Sequence, residues 1–102
     1  MDQVNEISTV EVEELMKENK QVAVIDVREA EEVASGIISE AIHIPMNEIP
    51  DAMSSFDKDI HYIFVCRSGA RSDAVAKYVM NKGYHASNMV GGMIDWRGEI
   101  IL

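Results

Sequence analysis

The sequence of 102 residues predicts a three-layer α/β domain, a central, mainly parallel five-stranded sheet with helices on both faces. Three observations predict it. Tyr62, Ile63, Phe64 and Val65 form a continuous apolar run rich in aromatic and β-branched types, the composition of a strand buried on both faces of a parallel sheet. Residues 22–27 make a second such run, apolar until Asp26, which places it beside the first at the sheet centre. Between and beyond these runs apolar residues recur at helical spacing, so strands and helices alternate along one domain, residues 1–102.

The elements follow in order. Residues 1–8 are polar and turn apolar at Ile7, which predicts a short edge strand around Glu6 and Ile7. Ser8 or Thr9 is placed to cap the helix that follows, with Val12, Leu15 and Met16 on its buried face and Lys17 and Lys20 near its carboxyl end. After residues 22–27 come Arg28, Glu29, Glu31 and Glu32. They read as an Arg28-to-carboxylate pair that fixes the turn, in preference to Asp26 or Glu32 serving as a general base. A short helix through Val33 and Ala34 should stop at Gly36. Residues 41–44 read as a third strand, closed by Pro45. Asn47 is the expected cap of a helix with Ile49, Met53 and Phe56 on its apolar side and Pro50 in its first turn, where proline is tolerated. Asp57, Lys58 and Asp59 form a polar loop into the run at Tyr62.

That run ends at Cys66, the only cysteine. From Ser72 onward Ala74, Val75, Tyr78 and Val79 recur at helical spacing, so residues 67–71 must turn the chain from strand to helix within a few positions. Successive N–H groups in such a turn form an anion-binding concavity, and the positive end of the next helix points the same way. Arg67 and Arg71 place two cations beside the thiol. A thiol there should ionise below the free-cysteine value of about 8.5. Cys66 is therefore a candidate nucleophile, with Arg67, Ser68, Gly69, Ala70, Arg71 and Ser72 as candidate anion-binding residues. A cysteine buried only for packing would not need Ser-Gly-Ala between two arginines at this turn.

Beyond that helix, Lys82, Gly83 and Tyr84 mark a glycine stop, and residues 87–90 read as the last strand. Gly91 and Gly92 let backbone approach closely, at the same sheet edge as the cysteine if the two strands are parallel. Met93, Ile94 and Trp96 begin a closing helix with Trp96 as a packing anchor, and Ile100, Ile101 and Leu102 form an apolar tail that packs on the core or on a second subunit. The seven methionines read as core filler. His43, His61 and His85 lack metal-ligand spacing with Cys66, although a cysteine-histidine dyad stays open.

Composition narrows the function classes. A formal net charge of −9 argues against nucleic acid and against anionic membrane surfaces as partners. No apolar run approaches the roughly 20 residues that span a bilayer. The first six residues have neither the basic region nor the apolar core of a secretory signal. With a single cysteine, these features favour a reducing, cytoplasmic setting.

The loop Cys66-Arg67-Ser68-Gly69-Ala70-Arg71-Ser72 resembles the active-site loop of the rhodanese-like sulfurtransferases. Ile25-Asp26-Val27-Arg28-Glu29, with Glu32, Gly36, Ile38, Ala41, Ile44 and Pro45, is similar to that family's amino-terminal signature, and Val90-Gly91-Gly92 with Trp96 is similar to a third motif near the end. Departures from the pattern fall outside the loop: Val33 replaces a usual aromatic, Ile37 a usual histidine and Glu40 a common glycine. They bear on packing and partner contacts.

The resemblance implies a ping-pong sulfur transfer through a Cys66 persulfide, with no metal or organic cofactor. It implies a small sulfur-containing anion such as thiosulfate, or a thiol persulfide, as donor. The acceptor is a thiol, cyanide or a protein, and the donor too can be a protein. By resemblance Asp26 and Arg28 are structural. Two rivals remain. One is thiolate chemistry on phosphorus or arsenic, but cysteine phosphatases place one residue more between nucleophile and arginine than the four that separate Cys66 from Arg71. The other is a persulfide carrier or interaction module for a protein partner.

Overall fold

The computed structural model describes residues 3–18 and 21–102, so the reading of the first two residues and of Lys20 lies outside the described residues. Along the described chain the elements are β1 (Asn5–Ile7), α1 (Thr9–Glu18), β2 (Val22–Asp26), α2 (Ala30–Val33), β3 (Ile37–Ile38), β4 (Ile42–His43), α3 (Ile49–Ala52), β5 (His61–Val65), α4 (Ala70–Asn81), β6 (His85–Met89), α5 (Gly92–Asp95) and β7 (Ile100–Ile101). Among the described residues the main sheet has five strands in the order β1-β6-β5-β2-β4, and every pairing in it is parallel. Among them, too, no helix is long and apolar enough to cross a membrane.

Strand side chains alternate between faces, so a strand apolar at every position must be covered twice. That is what β5 does. Tyr62, Phe64 and Cys66 turn to one face, where Ile49 of α3 and Val75, Ala76 and Val79 of α4 cover them together with Ile25 and Val27. Ile63 and Val65 turn to the other, against Val12 of α1, Val24, Ile38, Met89 and Trp96. Two cores back to back on one sheet make the three layers, and β5 is central to both.

Ser8 is the cap of α1: its Oγ accepts the Glu11 N–H at 3.1 Å and its own N–H donates to Glu11 Oε1 at 3.1 Å. The edge strand, the Gly36 and Gly83 stops and the strand ending in Cys66 stand where the sequence places them. Other expectations change. Asn47 does not cap a helix; it lies inside a 3₁₀ turn, Met46–Glu48, and α3 is a single turn that tightens into a second 3₁₀ turn, Met53–Ser55. Phe56 then leaves in extended backbone and stacks on Tyr62 with ring centroids 4.2 Å apart. The strand expected over residues 41–44 is Ile42–His43, although the Ile44 N–H still donates to Asp26 O at 3.0 Å.

Helix α4 begins two residues before Ser72, and its buried face is Ser72, Val75, Ala76 and Val79; Tyr78 is 41% exposed. Docking of its first turn against the cysteine sets this face. Trp96 lies just past α5 in extended backbone and is buried, a packing anchor as expected. Of the methionines, Met89 is core, whereas Met46 is 37% exposed and fills none. The apolar tail folds back on its own chain. Ile100 and Ile101 pair antiparallel with Ile38 and Ile37, a ribbon of β3 and β7 whose two-residue strands are too short to show periodicity in sequence.

Candidate active site

Cys66 follows the last residue of β5 and is 1% exposed. The turn behind it wraps the sulfur in donors: the Gly69 N–H at 3.1 Å, the Ser72 N–H at 3.4 Å and the Ser72 hydroxyl at 3.3 Å from Sγ. Gly69 makes the wrap possible, since it caps α4 at φ 109°, the left-handed region that glycine adopts freely. Burial pushes the thiol up. The Ser72 hydroxyl and the N–H groups of Ser72, Gly69 and Ser68 outweigh it and bring the thiol below the ordinary cysteine value.

Neighbouring elements hold this turn from two sides. Strand β6 supplies Asn88, 3% exposed, whose Nδ2 donates to Gly69 O at 3.2 Å and whose Oδ1 lies 2.5 Å from Ser72 Oγ. The hydroxyl has one proton, so it serves Asn88 or Cys66 at a given moment. At the start of α5, the Met93 N–H donates to Cys66 O at 2.9 Å and the Ile94 N–H to Arg67 O at 3.1 Å. Because β6 is parallel to β5, Gly92 arrives at this edge; a Cβ on it would stand 2.6 Å from Cys66 O, so only glycine fits.

The two loop arginines differ. Arg67 is exposed, and among the described residues no hydrogen bond or ion pair of its guanidinium is found. It lines a cleft of about 290 Å³ with Arg28, Glu32, Ser35, Met93 and Ile94. Ser68, Gly69 and Ala70 border a larger cleft, about 610 Å³, on the β1 side of the loop. Arg71 is engaged: Nη1 and Nη2 donate to Glu32 Oε1 and Oε2 at 2.7 and 2.9 Å. The sequence paired no residue with Arg71. These hydrogen bonds hold the Glu32 carboxyl down at about 2, and the guanidinium is raised in turn by Glu32 and, more weakly, by the Cys66 charge.

Asp26 and Arg28 form the buried pair expected of them. The carboxylate accepts Arg28 Nε at 3.0 Å, Nη2 at 2.8 Å and the Arg28 backbone N–H at 3.0 Å, while Nη2 also reaches Gly36 O at 2.7 Å. Both carboxylate oxygens are occupied, so Asp26 is no base for Cys66. The histidines stand elsewhere. His61 begins β5, at the end opposite Cys66; it stacks on His85 at 3.8 Å and bonds Ser87 Oγ through Nε2 at 2.7 Å. His43 Nε2 lies 2.7 Å from Arg28 O. Among the described residues no group of three or more His, Cys, Asp or Glu is placed to hold a metal ion.

Sequence reasoning missed Asn88 and the Glu32–Arg71 pair. An asparagine in a strand otherwise bound for the core, just before Gly91 and Gly92, was the one signal for the first. The second joins residues 39 apart in the chain and had none.

The arrangement presents a buried, acidified thiol in a cup of N–H donors, behind a loop that borders a cleft at Arg67 and another at Ser68, Gly69 and Ala70. It can attack a soft electrophile and hold the anion that results.

Comparison with known proteins agrees with these motifs. The model of the rhodanese-like domain matches residues 8–99. A protein of Bacillus subtilis (strain 168) named "Putative sulfurtransferase YtwF" is 46% identical over 97 residues, which cover 95% of this chain and 94% of that one. A sulfurtransferase of Allochromatium vinosum is 38% identical over 94 residues, 91% of this chain and 88% of its own. Among solved structures, a rhodanese-like domain protein from Staphylococcus aureus superposes with a TM-score of 0.88 at 40% identity, covering 96% of this chain and 97% of that one.

Proposed function

We propose that this chain, which belongs to the rhodanese-like domain family, is a sulfurtransferase that carries a sulfane sulfur on Cys66. The observation that carries the reading is the ring of donors from Gly69 and Ser72 around Cys66 Sγ. Such a ring favours the thiolate before reaction and the anionic terminal sulfur of a persulfide after it.

The reaction has two displacements. The Cys66 thiolate attacks the sulfane sulfur of a donor; the donor's S–S bond breaks and its electron pair leaves with sulfite, when the donor is thiosulfate, or with a thiolate, when it is a thiol persulfide. An acceptor nucleophile, which is a thiol, cyanide or a protein thiol, then attacks the terminal sulfur, the Cys66 S–S bond breaks, and the Cys66 thiolate returns. Ser68, Gly69, Ala70, Arg71 and Ser72 supply the loop backbone, and Arg67 faces the incoming anion. No change of redox state beyond the exchanged sulfur is required, and no metal or organic cofactor takes part. The reading takes residues 1–102 as one domain at work in the cytoplasm, where its lone thiol stays reduced.

The test is intact mass after incubating reduced protein with thiosulfate, and separately with a thiol persulfide, followed by desalting. A gain of one sulfur atom, removed by cyanide and absent from Cys66→Ser, is the expected result. No gain from either donor, or an equal gain in Cys66→Ser, overturns the reading. Protein loaded instead by a phosphate ester or turning over arsenate would point to the rival thiolate chemistry.

A further inference from the structure

We propose that Glu32 is a positioning residue that sets which sulfur donor the site accepts, by holding Arg71 in an ion pair so that the loop favours a thiol-borne persulfide over the thiosulfate dianion. The inference rests on the sulfur-transfer reading of Cys66 and names the donor class for that site.

The geometry of the pair is the first ground. Glu32 does not reach for Arg71 from a loose surface position. It closes the capping box of α2, where its Oε1 accepts the Glu29 N–H at 2.9 Å and the Glu29 side chain in turn accepts the Glu32 N–H. A carboxylate pinned by its own helix then meets the guanidinium fork to fork, at 2.7 and 2.9 Å. Both partners are half-buried at the mouth of the loop, with side-chain exposures of 35% for Arg71 and 28% for Glu32. Arg71 thereby loses its freedom to swing toward a substrate, and its charge is offset by the carboxylate it holds, so the pair as a whole is neutral.

The charge at the reacting centre is the second ground. Attack of a thiolate on thiosulfate brings three negative charges together, and sulfite leaves as a dianion. Attack on a protonated thiol persulfide brings together one, and a single thiolate leaves. The N–H cup around Cys66 suits one anionic sulfur. Compensating a further dianion takes free cations, and with Arg71 held by Glu32 the loop offers Arg67 alone. Glu29, exposed at the start of the same short helix, adds negative charge that is felt at Arg71. The site as built therefore discriminates against the more highly charged donor.

The experiment compares single-turnover loading of Cys66 by thiosulfate and by the persulfide of 2-mercaptoethanol, which carries no other charged group. Glu32→Gln removes the charge and keeps an oxygen that can accept the Glu29 N–H, so α2 retains its cap. The expected result is a rise of about tenfold in the thiosulfate-to-persulfide ratio of loading rate constants, the effect of one added charge-assisted hydrogen bond from Arg71 to the dianion. Glu32→Ala should move the ratio in the same direction, and Glu32→Gln combined with Arg71→Gln should return it to the starting value, because the freed guanidinium is the source of the rise. A merely structural role for Glu32 would slow both donors alike and leave the ratio where it was; that result, or a rise that survives removal of Arg71, overturns the proposal while the sulfur-transfer reading stands. Failure of both donors to load the unmodified protein overturns both.

Discussion

Ser72 Oγ lies 3.3 Å from Cys66 Sγ, so the first turn of one helix closes on the residue that directly follows one strand. Of the groups that lower the Cys66 thiol, this hydroxyl acts most strongly, ahead of the N–H groups of Ser72, Gly69 and Ser68. Ser72→Ala removes it and keeps the backbone donors. The midpoint of the pH profile for alkylation by iodoacetamide should move up, and the rate near neutral pH should fall severalfold, with the fold retained. An unmoved midpoint would mean that the backbone N–H groups suffice without the hydroxyl.

Much of this site can be read from the chain because its logic is local. The apolar run Tyr62–Val65, the cysteine at its end and the glycine that lets residues 67–71 turn are neighbours in sequence, and period and turn chemistry specify them. Gly92 is legible for the same reason, given a β6 parallel to β5. What stayed hidden is what folding brings together from afar. Asn88 meets Gly69 and Ser72 only because β6 pairs with β5, and Glu32 meets Arg71 only because α2 and the loop share a sheet edge. The β3–β7 ribbon was missed for a different reason: two residues per strand carry no periodicity, and pairing alone defines them.

Glu40 sits at φ 70° in an exposed turn closed by the Ala41 N–H donating to Ile38 O at 3.0 Å. Positive φ costs a side-chain-bearing residue roughly 1 kcal/mol, and glycine avoids that strain. Here the family's common glycine is replaced, so Glu40→Gly should stabilise the protein by about 0.5–1 kcal/mol once the added freedom of the unfolded chain is set against the relief. The urea midpoint should rise with sulfur loading unaffected. A fall would show that the Glu40 side chain makes a contribution larger than its strain.

Asp26 and Arg28 are 0% and 6% exposed, and their pairing leaves neither charge solvated. Removing one charge from such a pair strands the other. Asp26→Asn keeps shape and one acceptor but leaves the guanidinium with only carbonyl partners such as Gly36 O, at a cost of about 3–5 kcal/mol. Denaturant unfolding measures it directly. A loss below about 1 kcal/mol would mean that Arg28 finds water when its partner goes.

Acid should unfold the protein in two overlapping stages, and the sign follows from proton binding. Burial, reinforced by the neighbouring His85, pulls His61 from 6.5 down to about 4. Between those values the unfolded chain takes up a proton that the folded one refuses, so stability is full above pH 6.5 and declines as pH falls toward 4. Glu32, held down from 4.5 to about 2 first by the hydrogen bonds of Arg71, adds a second decline between those values, as its ion pair is lost to protonation. His61→Gln keeps a partner for Ser87 Oγ and removes the first stage alone. Urea midpoints measured from pH 7.5 to 3 should then be flatter for His61→Gln than for the unmodified protein between pH 6.5 and 4.5, by roughly 1–3 kcal/mol at the acid end. The decline below pH 4.5 should remain in His61→Gln and shrink in Glu32→Gln. Parallel curves for all three proteins would remove both groups from the acid transition.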